Sequence, residues 1–165
     1  MAFEVGEMVV YPGRGICEIK VISTQEIDGK AIEFYHMTFL PDEATVMVPV
    51  KNASTIGIRR LMAKTDVPKV FAFLEEDIKA PSRDYKVRYQ RYVDLLSSGT
   101  IFDIARVAKS LYYLSTIKKL SKREDEMLER TRTLLIDEVA RVMGAEKSEV
   151  QAKVEKFLEQ IRIKE

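Results

Sequence analysis

Few side chains in this chain are able to do covalent chemistry. It holds one histidine, His36, and one cysteine, Cys17. The usual zinc sites draw on several residues of those two types, so one of each does not build one. No Gly-x-Ser-x-Gly elbow, Walker loop or dinucleotide fingerprint occurs. Tyr11-Pro12-Gly13-Arg14-Gly15 is glycine-rich, yet no Gly-Lys-Ser/Thr follows it, so its glycines serve a turn and not a phosphate. His36 sits mid-strand beside aromatic residues, Cys17 sits in an alternating strand, and both read as structural. Glu75-Glu76-Asp77 are adjacent at a helix end and read as solvated surface. The sequence thus offers no catalytic residue, no metal site and no cofactor site, and an enzyme is the weakest reading.

Another chemistry is better represented. Tyr85, Tyr89, Tyr92 and Leu96 recur at intervals of four, three and four, so they share one helix face, with Lys86, Arg88 and Arg91 nearby. Arginines on phosphates and an aromatic ring against a base step would suit nucleic acid. The competing reading is the buried stripe of an ordinary helix. That reading is preferred for Tyr89, Tyr92 and Leu96, whereas both stand for Tyr85, whose first-turn side chain can project past a core. A second cluster, Lys118, Lys119, Lys122 and Arg123, straddles a helix end and the next helix start. Lys118 and Lys119 complement a C-terminal dipole. Lys122 and Arg123 stand at an N-terminus, where cations are disfavoured but exposed amides could join them in holding phosphate. Residues 79–132 carry 13 Lys/Arg against 7 Asp/Glu, a net +6 in a chain of net +1. Such segregation points to a polyanion or to a solvated helix face.

Two halves of different period must position these groups. Up to about Pro49 the chain reads as short strands. Val9, Val10 and Tyr11 favour a pleated backbone, Pro12 ends the ladder, and Ile16 to Ile22 runs back. Asp28-Gly29 marks a hairpin into Lys30–Phe39, where Tyr35, Met37 and Phe39 alternate with Phe34, His36 and Thr38. Pro41-Asp42-Glu43 makes a turn, and Thr45 to Val48 is a fourth strand ended by Pro49. Four or five strands joined by tight turns suit a small SH3- or Tudor-like barrel. From about Asn52 the period is helical. Asn52 to Met62 reads as a connector. Asp66 is placed to cap Val67 to Leu74, and Ser82 or Asp84 to cap a helix ending at Ser98-Gly99. Thr100 with Asp103 opens a helix to about Lys119. Ser121 with Glu124 reads as a full capping box for a helix closed by Gly144. Lys147 to Ile161 is a last amphipathic helix. The expectation is an α+β chain: a barrel over 1–53, then a compact five-helix domain over 54–165.

The bulk numbers agree. A chain of 165 residues makes one or two domains with a real core. No apolar run approaches the ~20 residues of a membrane span, and no basic segment leads into a long apolar run at the start. A single cysteine fits a reducing, cytoplasmic setting.

The motif series Val5-Gly6-Glu7, Val9-Val10-Tyr11-Pro12, Gly15, Val46 to Pro49, Asn52-Ala53, Gly57-Ile58-Arg59, Ser97-Ser98-Gly99 and Leu120-Ser121 with Glu124, Leu134-Leu135 and Glu138 resembles the CarD/CdnL family of bacterial transcription regulators. The resemblance runs from about Phe3 to Gly144. It implies a Tudor-like module that binds the RNA polymerase β subunit, here through Gln25, Ile27, Val46 and Met47. It further implies a helical domain that contacts promoter DNA, in the minor groove and on the backbone, at the upstream edge of the melted region. Tyr85, Lys86, Arg88, Arg91, Lys118, Lys119, Lys122 and Arg123 would carry that contact, stabilise the open complex, and keep the protein on the nucleoid through polymerase. No small-molecule substrate or membrane is implied. The chain departs from the family pattern in having no Trp, with Tyr85 in the wedge position. Gln90 and Asp125 stand where relatives carry basic residues, and Gln25 and Met47 where relatives often carry arginines. These departures motivate an alternative: an adaptor on polymerase with no DNA contact.

Overall fold

The protein is described from a computed structural model covering residues 2–164. The chain separates into two compact units, Met1–Leu61 and Met62–Glu165.

The first unit is an antiparallel sheet. Its strands are β1 (Met8–Tyr11), β2 (Gly15–Ile27), β3 (Lys30–Phe39), β4 (Thr45–Pro49) and β5 (Arg59–Arg60), in the order β4-β3-β2-β1-β5. The β1–β2 turn closes on a 3.0 Å bond from the Arg14 amide to the Tyr11 carbonyl, with Gly13 at φ +75°. At the β2–β3 turn Ile27 pairs with Lys30 across Asp28 and Gly29, at φ +50° and +75°. Positive φ at both central residues is what a two-residue hairpin twisted with its strands requires. Val9, Cys17, Ile19, Tyr35, Met37, Phe39 and Val48 fill the inner face. The Cys17 thiol is buried there, and burial pushes it up to about 12, so it stays protonated and inert at neutral pH. His36 is held in a 2.6 Å hydrogen bond between its Nε2 and Ser23 Oγ on the neighbouring strand.

The strand-first α+β architecture is as expected, but the helix count is six rather than five among the described residues. The additional helix, α1 (Ala53–Ile56), is a single turn in the stretch expected to be a connector. Four residues are too few to display a helical period. Gly57 at φ +93° ends α1 and turns the chain back, so that Arg59 and Arg60 pair with Val10 and Val9. Ala53 and Ile58 lie in the sheet's core, which ties α1 and β5 to the first unit.

The second unit contains α2 (Val67–Glu75), α3 (Tyr85–Ser98), α4 (Ile101–Ile117), α5 (Lys122–Met143) and α6 (Lys147–Glu159). Their ends follow capping chemistry. Asp84 accepts from the Lys86 and Val87 amides, and Thr100 from the Asp103 amide. Asp66 differs from expectation: its carboxylate makes no cap bond and instead pairs with Lys69 at 3.5 Å. The reason is local, since the chain enters α2 through a 3-10 turn, Lys64–Asp66, and Asp66 is itself in helical φ/ψ. Val70, Leu74, Ala105, Leu135, Val139, Val154 and Leu158 form the main core; Tyr92, Val107, Leu111, Leu114, Met127 and Leu128 form a second one under α3. Each large apolar side chain so buried contributes roughly 1.5–3 kcal/mol. The buried Glu138 accepts from the Met62 amide at 2.8 Å, and Ile78 bridges in parallel to Ile163. Among the described residues no helix is long and apolar enough to cross a membrane.

Gly144 closes α5 at φ +66°, and a Cβ there would meet nothing within 4 Å. Gly144→Ala therefore destabilises through backbone strain alone, by about 1 kcal/mol, and Gly144→Asn by less. Urea unfolding of the two variants checks the order.

Candidate nucleic-acid interface

The site is built from one charged pair in the interior of the helical unit. Arg88 is on the second turn of α3 and Glu124 on the first turn of α5; they are 3% and 0% exposed. Their sequence phases explain this. Arg88 shares a face with Tyr85 and Tyr92, and Glu124 with Met127, Leu128 and Thr131, so each charge falls on the inward stripe. The guanidinium grips the carboxylate with both prongs, Nε to Oε2 at 2.7 Å and Nη2 to Oε1 at 3.0 Å. Its remaining nitrogen, Nη1, donates to the carbonyls of Ser82 and Arg83 at 3.2 and 3.4 Å. One side chain thus joins the loop before α3, α3 itself and the start of α5. Burial alone would raise the Glu124 carboxyl, but hydrogen bonds and charge from Arg88, with Lys118 adding to the field, hold it below its ordinary value. The full capping box is therefore half made. Ser121 Oγ accepts from the Glu124 amide at 3.2 Å, while the carboxylate is turned to Arg88.

On this base stands an aromatic ladder. The Tyr85 and Tyr89 rings stack with centroids 5.7 Å apart and planes 18° from parallel. Arg88 Cζ lies 5.4 Å from the Tyr85 centroid, and Arg123 Cζ 4.6 Å from that of Tyr89. Both tyrosines are half-buried and Arg123 is exposed, so the ladder has a solvent side. Tyr89 leaves the interior role expected for it only in part, since it packs on the second core while its ring carries Arg123. Tyr92 is buried and shares a 2.6 Å hydrogen bond with Ser110.

The basic residues divide. Lys118 caps the end of α4 close enough to act on Glu124, and Lys119, Lys122 and Arg123 are exposed around the α4–α5 turn. Lys86 and Arg91 are exposed along α3, with Gln90, Asp94, Val87 and Leu95 in a shallow groove. Arg88 differs from the expectation of a phosphate contact, because its donors already serve Glu124 and two backbone carbonyls. Among the described residues, none of the six exposed cations is in an ion pair. Exposed cations without ion-pair partners on α3 and at the α4–α5 turn, one of them Arg123 on the ring stack itself, can meet phosphates beside an aromatic face.

In the sheet unit, Gln25, Ile27 and Met47 share one face. Met47 pairs with His36, His36 with Val21, and Gln25 and Ile27 follow Val21 at two-residue steps. Met47 and Ile27 are 44% and 42% exposed and Gln25 is exposed. Val46 differs: it pairs with the buried Met37, faces the other way, and packs on the core. Among the described residues no group of His, Cys, Asp and Glu could hold a metal ion.

Lys109, 1% exposed on α4, was not legible as a buried charge; it lies on a helix that reads as apolar nearly all round. The inward phase of Arg88 and Glu124 does follow from spacing, since each falls on its helix's buried stripe, with Tyr92 on α3 and with Met127, Leu128 and Thr131 on α5.

Removing one member of a buried pair leaves the other charge uncompensated, so Arg88→Ala destabilises by roughly 3–5 kcal/mol, whereas Arg88→Met with Glu124→Leu recovers most of the loss. The Glu124 carboxyl is depressed on folding from 4.5, so its contribution is fully present above that pH and disappears as pH falls below it. Urea unfolding at neutral and acid pH checks both, with Glu124→Gln losing less stability in acid than the parent.

Comparison with known proteins places these features. Residues 69–155 match the profile of the CarD C-terminal domain, and residues 3–62 that of the CarD-like/TRCF RID domain. A relative from Bacillus subtilis (strain 168), named "Putative transcription factor YdeB", is 26% identical over 153 residues, covering 91% of this chain and 98% of its own. The 72-residue N-terminal domain of Myxococcus xanthus CarD, solved in solution by NMR, is 38% identical over 35% of this chain and 77% of that domain, with a TM-score of 0.31. With both domain profiles in order along its length, this chain belongs to the CarD-like family of transcription-associated, RNA polymerase-interacting proteins.

Proposed function

We propose that this protein is a transcription regulator that binds the β subunit of RNA polymerase through its sheet unit and promoter DNA through its helical unit, stabilising the open complex. The observation that carries the reading is the Tyr85–Tyr89–Arg123 ladder, bordered by unpaired cations and standing on the buried Arg88–Glu124 pair. Tyr85 is the ring for a base step at the edge of the melted region; its hydroxyl can stay at the wet groove while the ring face is covered. Lys118, Lys119, Lys122 and Arg123 are the phosphate contacts, with Lys86 and Arg91 on the flank. Arg88 acts at one remove, by fixing the turn that presents Tyr85.

The physical logic is population shift. A ligand that holds melted DNA better than duplex moves the equilibrium by its differential affinity. Attachment to polymerase raises the local concentration of the helical unit, so a modest patch of cations suffices. Gln25, Ile27 and Met47 supply the polymerase side, with apolar and uncharged groups where an ionic contact would need arginines.

Stacking of a base on an aromatic ring contributes ~1–3 kcal/mol. Tyr85→Ala should therefore shorten open-complex lifetime by a factor of roughly five or more while β-subunit binding stays unchanged. Met47→Glu should weaken that binding and remove the lifetime effect with it. Filter-binding decay of promoter complexes and pull-down on the β subunit read the two separately. Phosphate contacts also predict an affinity that falls steeply with added salt. A salt-insensitive complex would point to the adaptor reading.

A further inference from the structure

A cavity of about 530 Å³ opens between α3, α4, the loop after α2 and the C-terminal segment, all within the helical unit. Its wall is rich in cations: Lys79, Arg91, Arg106, Lys109 and Lys164, against the acids Glu76 and Asp77. Arg88 also reaches the wall, but Glu124 already matches its charge. Among the described residues none of the five cations is in an ion pair.

Lys109 is the informative member. Its ammonium is buried, yet its partners are a backbone carbonyl and a ring. Nζ donates to the Phe73 carbonyl at 2.5 Å and lies 4.4 Å from the Phe73 ring centroid, while Arg106 Cζ lies 5.2 Å from the same ring. Buried charges are ordinarily paired, as Arg88 and Glu124 are, because taking an unpaired ion out of water is costly. Two cations on one ring, with more around them and no carboxylate in contact, leave an excess of positive charge facing a space of ligand size.

We propose that this cavity binds a small, multiply charged phosphorylated molecule, whose phosphate supplies the counter-charge for Lys109 and Arg106. Ile78, Val87 and Leu95 on the same wall suit an organic body attached to the phosphate. A backbone phosphate of DNA has the same chemistry and is the competing source. The site has a proton signature. Burial pushes the Lys109 ammonium down to about 8; Glu76 and Asp77 pull it up, and Arg106 and Lys164 press it further down. A bound anion favours the charged form, so affinity is highest below pH 8 and falls as pH rises through it.

The test is calorimetric titration of the full chain with inorganic pyrophosphate and with ADP, and with a short DNA duplex as the third arm. Saturable one-to-one binding of a small probe is expected at neutral pH. Lys109→Met and Arg106→Gln should each weaken it by on the order of tenfold, the loss of a charge-assisted hydrogen bond. The parent should lose affinity between pH 7 and 9 by more than Lys109→Met does, which separates Lys109 from the probe's own ionisation. Arg106 is exposed, so its variant reports on the site even where Lys109→Met does not fold. Two results would each overturn the proposal: no saturable binding of either small probe at millimolar concentration, which with duplex binding weakened by both variants would assign the cavity to a DNA phosphate instead, or small-probe binding that both variants leave unchanged.

Discussion

The helical unit depends on a carboxylate and a guanidinium that meet out of water. An Arg–Glu pair at that depth is not a strong source of net stability, because desolvating two ions offsets much of their attraction. Its value is geometric. The planar fork of arginine accepts one orientation of a carboxylate, and the third nitrogen finds two carbonyls of the preceding loop. A lysine would supply the charge but not the three-way fixation. The consequence is that the first turn of α3 and the first turn of α5, far apart in sequence, are held as one surface. The tyrosine stack and Arg123 sit directly on it.

Much of this was readable before any coordinates. Strand alternation in Lys30–Phe39, the Asp28-Gly29 turn and the Gly99 and Gly144 helix ends all follow local rules, and the chain obeys them. What escaped reading was set by partners distant in sequence. Glu124 satisfies a capping rule on paper, but Arg88 outbids the Ser121 amide for its oxygens. Val46 and Met47 are neighbours, and only the register against Met37 and His36 decides that the first packs on the core and the second faces outward. A single turn such as α1 carries no period at all. Lys109 reads as an ordinary surface lysine until the fold closes over it.

The two units differ in the physics of their exposed faces. The sheet offers Ile27, Met47 and Gln25, a patch whose contacts would be governed by shape and apolar area. The helices offer unpaired cations and a ring stack, whose contacts would be long-ranged and sensitive to ions. Under the proposed function this division would be useful: one contact would persist across conditions, while the other would respond to the state of the DNA.

The buried thiol of Cys17 has a practical corollary. It is the sole cysteine in the sequence, fully covered by the sheet core, and its hydrogen points to the Gly15 carbonyl. Maleimides and disulfide reagents attack thiolates, and this sulfur offers neither the ionised form nor a path of approach. The natural chain is therefore chemically silent toward such reagents. A cysteine introduced on either exposed face would be the one reactive sulfur in the molecule, so the native background need not be stripped before probes are attached.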